Sequence, residues 1–227
     1  MKPVEPFFTI GLFPQRYVEF LALLKCLSLM FVTAMGYCQE TTGFSPHPVT
    51  LIVKFGITAD GAVTHEWKEA IRDRHNEEAL AKILASTRRL SEEEALWIDL
   101  IKRKISTWPA MIDSLRIPFQ AITPPDTISI LLGNLGGEDA FVYSYSTICF
   151  DLNKLGSQYG PATASANSAR IDRFFAHEFT HVLHKAWRKK KGVEFESPFA
   201  FALWECLTED LGIIAHSLTN GCCKAAN

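Results

Sequence analysis

Residues 177–181 read His-Glu-Phe-Thr-His. On an α-helix, a spacing of four places His177 and His181 one turn apart on one face. Two imidazoles so arranged can reach a single metal ion, and zinc takes imidazole nitrogen readily, preferring four ligands in a tetrahedron. Glu178 leans toward the same edge, close enough to work on a water that the ion activates. The chemistry this points to is hydrolysis. Zinc brings the pKa of water down toward about 7, and a carboxylate can take the proton and later hand it to a leaving amine. A chance His-Glu-x-x-His in a chain of 227 residues is on the order of a 1 % event. Ile171, Phe174, Val182 and Trp187 give the surrounding segment an amphipathic helical pattern.

A third protein ligand is required. His184 and Trp187 do not continue the segment in the way of the astacin-like and matrix proteases, which want Gly and His at those places, and His184 is read as a rim residue. The remaining source is a carboxylate on the next helix. Glu205 lies 24 residues after His181, within an apolar stretch of Phe199, Phe201, Leu203, Trp204, Leu207 and Leu211. Burying an unpaired carboxylate there is costly, so Glu205 is expected as the third ligand of one zinc ion. Glu209, one helical turn further on the same face, is expected to accept the outer N–H of a ligand histidine and fix its tautomer.

The elements that must position these groups follow from periodicity and breakers. Thr50–Phe55 is β-branched and reads as a strand, with a turn at Asp60-Gly61. Residues 65–115 are helical and highly charged; Ser91 with Glu94 forms a capping box ahead of Leu96, Ile98, Ile101 and Ile105, and Pro109 should kink or end that helix. Thr127–Leu132 and Phe141–Asp151 read as further strands. The Gly133–Gly137 segment between them is a turn without the lysine of a phosphate loop. Residues 156–166 read as a loop, Asn167 or Ser168 as the cap of a helix to about Lys190, and residues 197–215 as a second helix.

Taken together, His177, Glu178 and His181 with Glu205 downstream and Glu209 beyond it resemble the gluzincin branch of the zincin metallopeptidases. The resemblance covers roughly residues 125–215 and implies an α+β, zincin-like fold: a small mixed sheet with an edge strand over the active-site helix, then a ligand-bearing helix. It implies a zinc-dependent peptidase with Glu178 as general base. An extended peptide or protein substrate would add to the edge strand, expected at Phe141–Asp151. Gluzincins use a Tyr or His to stabilise the oxyanion, and the candidates here are His216, Tyr143 and Tyr145. Only 22 residues follow Glu205, so the domain is expected to lack a full C-terminal subdomain. A zinc-binding pseudo-enzyme or interaction domain without turnover, and a structural protein without metal, stay open beside the peptidase reading.

Composition sets the frame. Apolar residues make up 48 % and charged residues 21 %, a globular balance. The net charge of −2 argues against a nucleic-acid partner. Arg188-Lys189-Lys190-Lys191 reads as a solvated helix end. None of the six cysteines forms a CxxC pair. Residues 26–36 resemble the apolar region and cleavage zone of a secretory signal. Residues 1–38 are therefore expected to be a signal or membrane-targeting segment, 39–49 a linker and 50–227 the catalytic domain, exported to the periplasm or beyond.

Overall fold

The computed structural model describes residues 48–85, 88–119 and 121–222, with side chains described as far as Gly212. The segment 1–38 expected to direct targeting, and residues 39–47 of the expected linker, lie outside this range.

Four strands form one mixed sheet in the order β1-β2-β4-β3: β1 (Thr50–Phe55), β2 (Thr127–Gly133), β3 (Ala140–Ser144) and β4 (Thr147–Asp151). β1, β2 and β4 run parallel, and β3 returns antiparallel to β4 at the edge. The segment Phe141–Asp151, read from sequence as a single strand, is thus a hairpin turning at Tyr145-Ser146. Its first half alone is the edge, and β4 is interior and fully buried. Alternation divides the side chains between two faces. Ile128, Ile130, Leu132, Ile148 and Phe150 pack into the larger core, whereas Leu131, Cys149 and Phe141 form a cross-strand row on the opposite face.

Seven helices are described. α1 (His65–Ile71), α2 (Glu77–Ala85), α3 (Glu92–Ile105) and α4 (Trp108–Leu115) lie between β1 and β2; α5 (Leu152–Tyr159), α6 (Ser165–Lys191) and α7 (Pro198–Cys222) follow β4. α3 begins at the expected capping box: Ser91 N–H donates to Glu94 at 2.7 Å, and Glu94 N–H donates back to the serine hydroxyl at 3.2 Å. α3 ends at Ile105 with no kink, ahead of Pro109. The proline stands in the first turn of α4, where its missing N–H costs nothing. Residues 152–159, half of which were expected in a loop, form α5 because Asp151 caps them, accepting the Lys154 N–H at 3.0 Å. Asn167 is not the cap of α6; it is buried inside the first turns and donates to the carbonyls of Tyr159 and Pro161.

The larger core holds α6 against the sheet. Trp108 stacks on Phe175 with ring centroids 4.1 Å apart, and Phe175 stacks on Phe179. The Trp108 indole N–H also reaches Asp172 at 3.0 Å, and Lys104 pairs with the same carboxylate. Among the described residues no helix is long and apolar enough to cross a membrane.

On the other face, α1 drives the indole of Trp67 onto backbone. A Cβ at Gly133 would fall 2.3 Å from the Trp67 ring, and one at Gly56 would fall 2.7 Å from it. The indole N–H donates to the Asn134 carbonyl at 2.9 Å. The tight approach yields a test. Gly133→Ala should destabilise by about 1–3 kcal/mol, the usual cost of overpacking, seen as a lower urea midpoint with unchanged slope. Gly156→Ala, whose Cβ would meet nothing closer than 3.8 Å within α5, should be neutral or stabilising by up to about 1 kcal/mol.

Candidate metal centre

α6 and α7 form an antiparallel pair joined by residues 192–197. Gly192, with φ 62°, ends α6 in the left-handed conformation that favours glycine. The two helices are held by an aromatic stack. The His184 ring lies 4.2 Å from that of Trp204 at an interplanar angle of 14°, and the Trp187 ring lies 6.1 Å from that of Trp204 at 15°. Thr208 places its hydroxyl 2.7 Å from Nδ1 of His184. His184 is therefore a buried packing residue of the interhelical seam, not a rim residue.

One turn toward the N-terminus of α6, the imidazoles of His177 and His181 meet. Their Nε2 atoms are 2.8 Å apart with the rings at 85°. α7 delivers Glu209 to the same point, with carboxylate oxygens 3.3 Å from Nε2 of His177 and 3.6 Å from Nε2 of His181. The two distances are to different oxygens of Glu209, and with one donor atom from each residue the three lie within 4.8 Å of one another; a tetrahedron of ligands about 2.05 Å from zinc has edges of about 3.3 Å, to which the 2.8 Å between the imidazole nitrogens would have to open. Two histidine nitrogens and a carboxylate oxygen are also a donor set zinc accepts. The residues present fit the ion.

Glu205, expected as the third ligand, is exposed and is not a member of this group; the carboxylate brought to the two imidazoles is that of Glu209. The reason is helix length. α6 runs ten residues past His181 to Lys191, and α7 starts at Pro198. An antiparallel return comes level with His181 only near residue 208, so Glu205 stands about a turn too early.

Close approach of the helices also depends on Gly212, a glycine that sequence reasoning passed over. A Cβ there would lie 2.4 Å from Nδ1 of His177 and 2.7 Å from Cε1. A glycine within a helix costs about 1 kcal/mol relative to alanine, and here it makes room for the His177 ring.

Glu178 points from α6 into a cleft of about 520 Å³ that also reaches His177, bounded by residues 137–140 ahead of and at the start of β3, by α5 and by the first half of α6. Its carboxyl is pushed up to about 8, chiefly by burial and then by the charges of Glu209 and Glu138, with Arg74 and Lys185 opposing. A carboxyl poised near neutrality is suited to exchanging a proton with water, and a cation beside it would favour its ionised form. His181 is held down to about 4, first by burial and then by His177, and so stays neutral with a free lone pair.

The loop at the cleft's floor is braced by Asp151, which accepts the N–H groups of Gly136 at 2.6 Å and Gly137 at 3.2 Å. A carboxylate of the chain itself thus fills the anion-binding concavity of this glycine-rich turn, in keeping with its reading as a turn and not a phosphate loop. Arg74, also missed from sequence, lies 3.7 Å over the Phe141 ring and pairs with Glu138 at 2.6 Å.

The candidate oxyanion residues fall elsewhere. Tyr145 donates its hydroxyl to the Thr123 carbonyl at 3.0 Å. Tyr143 is exposed on β3 and lines a second groove with Arg74 and Glu69. The side chain of His216 lies outside the described residues.

Two measurements follow. Gly212→Ala should weaken zinc binding about 10- to 100-fold, the range seen when the support of a ligand histidine is lost, with the far-ultraviolet spectrum retained. The metal-free protein should also have a defined pH response. His181 and His184, both held down to about 4 chiefly by burial, take up protons only on unfolding between pH 6.5 and about 4, so stability falls as pH drops through that window. Glu178 has the opposite sign: folded, it retains a proton that the unfolded chain releases above pH 4.5, so stability falls as pH rises from 4.5 to about 8. Metal-free Glu178→Gln should accordingly melt higher than wild type at pH 8 and together with it at pH 4, by calorimetry.

Comparison with known protein families, with curated proteins and with solved structures yields no match to this chain.

Proposed function

We propose that the protein is a zinc-dependent peptidase of gluzincin type in which His177, His181 and Glu209 hold one zinc ion and Glu178 is the general base. The observation that carries this reading is the convergence of three ligand atoms from two helices within 4.8 Å of one another, beside a buried carboxyl in a cleft. Zinc, when bound there, supplies Lewis acidity: it acidifies water and polarises a carbonyl. Glu178 takes the proton of the attacking water and returns it to the leaving amine. β3, the antiparallel edge of the sheet, borders the same cleft through Ala140, and its outer backbone offers an extended peptide a strand to pair with. A hairpin edge backed by buried β4 fixes that strand relative to α6, which orients the scissile bond.

The donor set alone is equally compatible with a zinc-stabilised domain that binds without turnover. The raised carboxyl of Glu178 favours hydrolysis: a purely structural site has no use for a buried acid beside its ligands, where burial is costly.

Three variants test the assignment. Glu178→Gln should retain one zinc per chain and lose cleavage of a broad peptide library. Glu209→Gln should weaken zinc by at least about a hundredfold, as loss of a direct ligand does, whereas Glu205→Gln should bind zinc as wild type does. Zinc content by atomic emission and affinity by chelator competition give the readouts. Unimpaired turnover in Glu178→Gln removes the base; a wild-type chain that binds zinc and cleaves nothing supports the binding-only domain; a loss of zinc in Glu205→Gln alone reassigns the third ligand.

A further inference from the structure

Besides Glu178, four charged side chains border the cleft: Glu138, Asp139, Lys154 and Arg173. Their commitments differ by sign. Glu138 is paired with Arg74 at 2.6 Å, and Asp139 accepts a hydrogen bond from the Tyr159 hydroxyl. Lys154 and Arg173 have no ion pair with any described residue. Both are half-buried, in positions where an uncompensated cation gives up part of its hydration for nothing. Arg173 is felt at the Tyr159 phenol, so Asp139 offsets one positive charge at most. With Glu138 neutralised by Arg74, the wall formed by α5 and the first half of α6 carries, Glu178 aside, a surplus of positive charge.

The position of that surplus is set by the helix. Arg173 precedes His177 by four residues on α6, which puts it one turn away on the same face, about 6 Å along the axis. An extended peptide advances about 3.3–3.6 Å per residue. A group held by Arg173 thus belongs to the first or second residue beside the scissile bond.

We infer that Lys154 and Arg173 form a subsite that binds a substrate carboxylate one or two residues from the bond presented to His177 and Glu178. This rests on the peptidase reading of the cleft and narrows it to acidic peptides. The carboxylate can come from an Asp or Glu side chain or from a free C-terminus. Arg173 can engage it through its planar fork, with Lys154 adding a point charge from α5.

Binding is measured apart from turnover, in the zinc-loaded full chain carrying Glu178→Gln, by fluorescence anisotropy. Labelled hexapeptides are used in pairs: internal Glu against Gln at each position, and a free C-terminus against an amidated one. The acidic member of at least one pair should bind about tenfold tighter or more, the worth of a charge-assisted contact, and the preference should shrink with added salt. Preference confined to the internal pairs identifies a side chain; preference confined to the terminal pair identifies the C-terminus. Arg173→Gln and Lys154→Gln should each reduce the discrimination without weakening zinc, and Arg173→Lys should keep part of it. Equal affinity within every pair, absence of binding by any peptide, or discrimination that survives both substitutions overturns the inference. Wild-type cleavage of the same peptides tests the reaction separately. Acid-selective binding without cleavage sinks the peptidase reading and leaves the subsite standing; cleavage with no acid preference does the reverse.

Discussion

The contact between α6 and α7 is the constraint on which the site depends. Neither helix alone holds more than two of the three converging donor atoms, and the sheet contributes none. What fixes the third is the seam in which Trp204 stacks on His184, Thr208 meets its Nδ1 and Gly212 lets backbone pass the ring of His177. Each of these residues sits one helical turn from the next along α7, so the face that packs and the flank that carries Glu209 are set by the same rotation of the helix. A shift of one turn between the helices would exchange Glu209 for Glu205 while leaving the apolar pattern of α7 nearly unchanged. The stack and the glycine specify the register that hydrophobicity leaves open.

This explains what could be read from the sequence and what could not. The four-residue spacing of His177 and His181, the strands at Thr50 and Thr127, the capping box at Ser91 and the helical pair at the C-terminal end all follow from local rules, and each is present. The α+β class and its small mixed sheet were legible. The carboxylate that joins the two imidazoles was not, because two acids one turn apart look alike until the helix ends are counted. The glycine at 192 and the proline at 198 held that count: α6 overshoots His181 by ten residues, and the return must match it. The hairpin was missed because its turn, Tyr145-Ser146, lacks the Asn-Gly or Gly-Gly signature of a tight connection. Gly212 and Arg74 escaped for a different reason. Their roles are defined by partners remote in sequence, His177 across the helix seam and Phe141 across the sheet edge, and no local pattern announces such a contact.

The two faces of the sheet divide the work. The larger core anchors α6 through Phe175 and Phe179 and ties it to α3 and α4 through Asp172. The smaller face uses Trp67 to press on the backbone at Gly56 and Gly133 and to hold the Asn134 carbonyl. Asp151 then connects the end of β4, the start of α5 and the loop that leads into β3. The walls of the cleft are therefore braced from opposite sides of one sheet, and positioning of this kind is what allows groups of modest intrinsic reactivity to act together.

The parallel pairing of β1 with β2 has a consequence for how the molecule assembles. Residues 56–126 intervene between the two strands, whereas only residues 192–197 separate α6 from α7. The entropy lost in closing a loop rises with its length, and contacts distant in sequence are slow to form. By connectivity alone, the helical hairpin bearing His177, His181 and Glu209 is a local unit, and the far strand of the sheet is the element that must search longest for its place. Chain order thus lets His177, His181 and Glu209 gather ahead of the scaffold that later confines them.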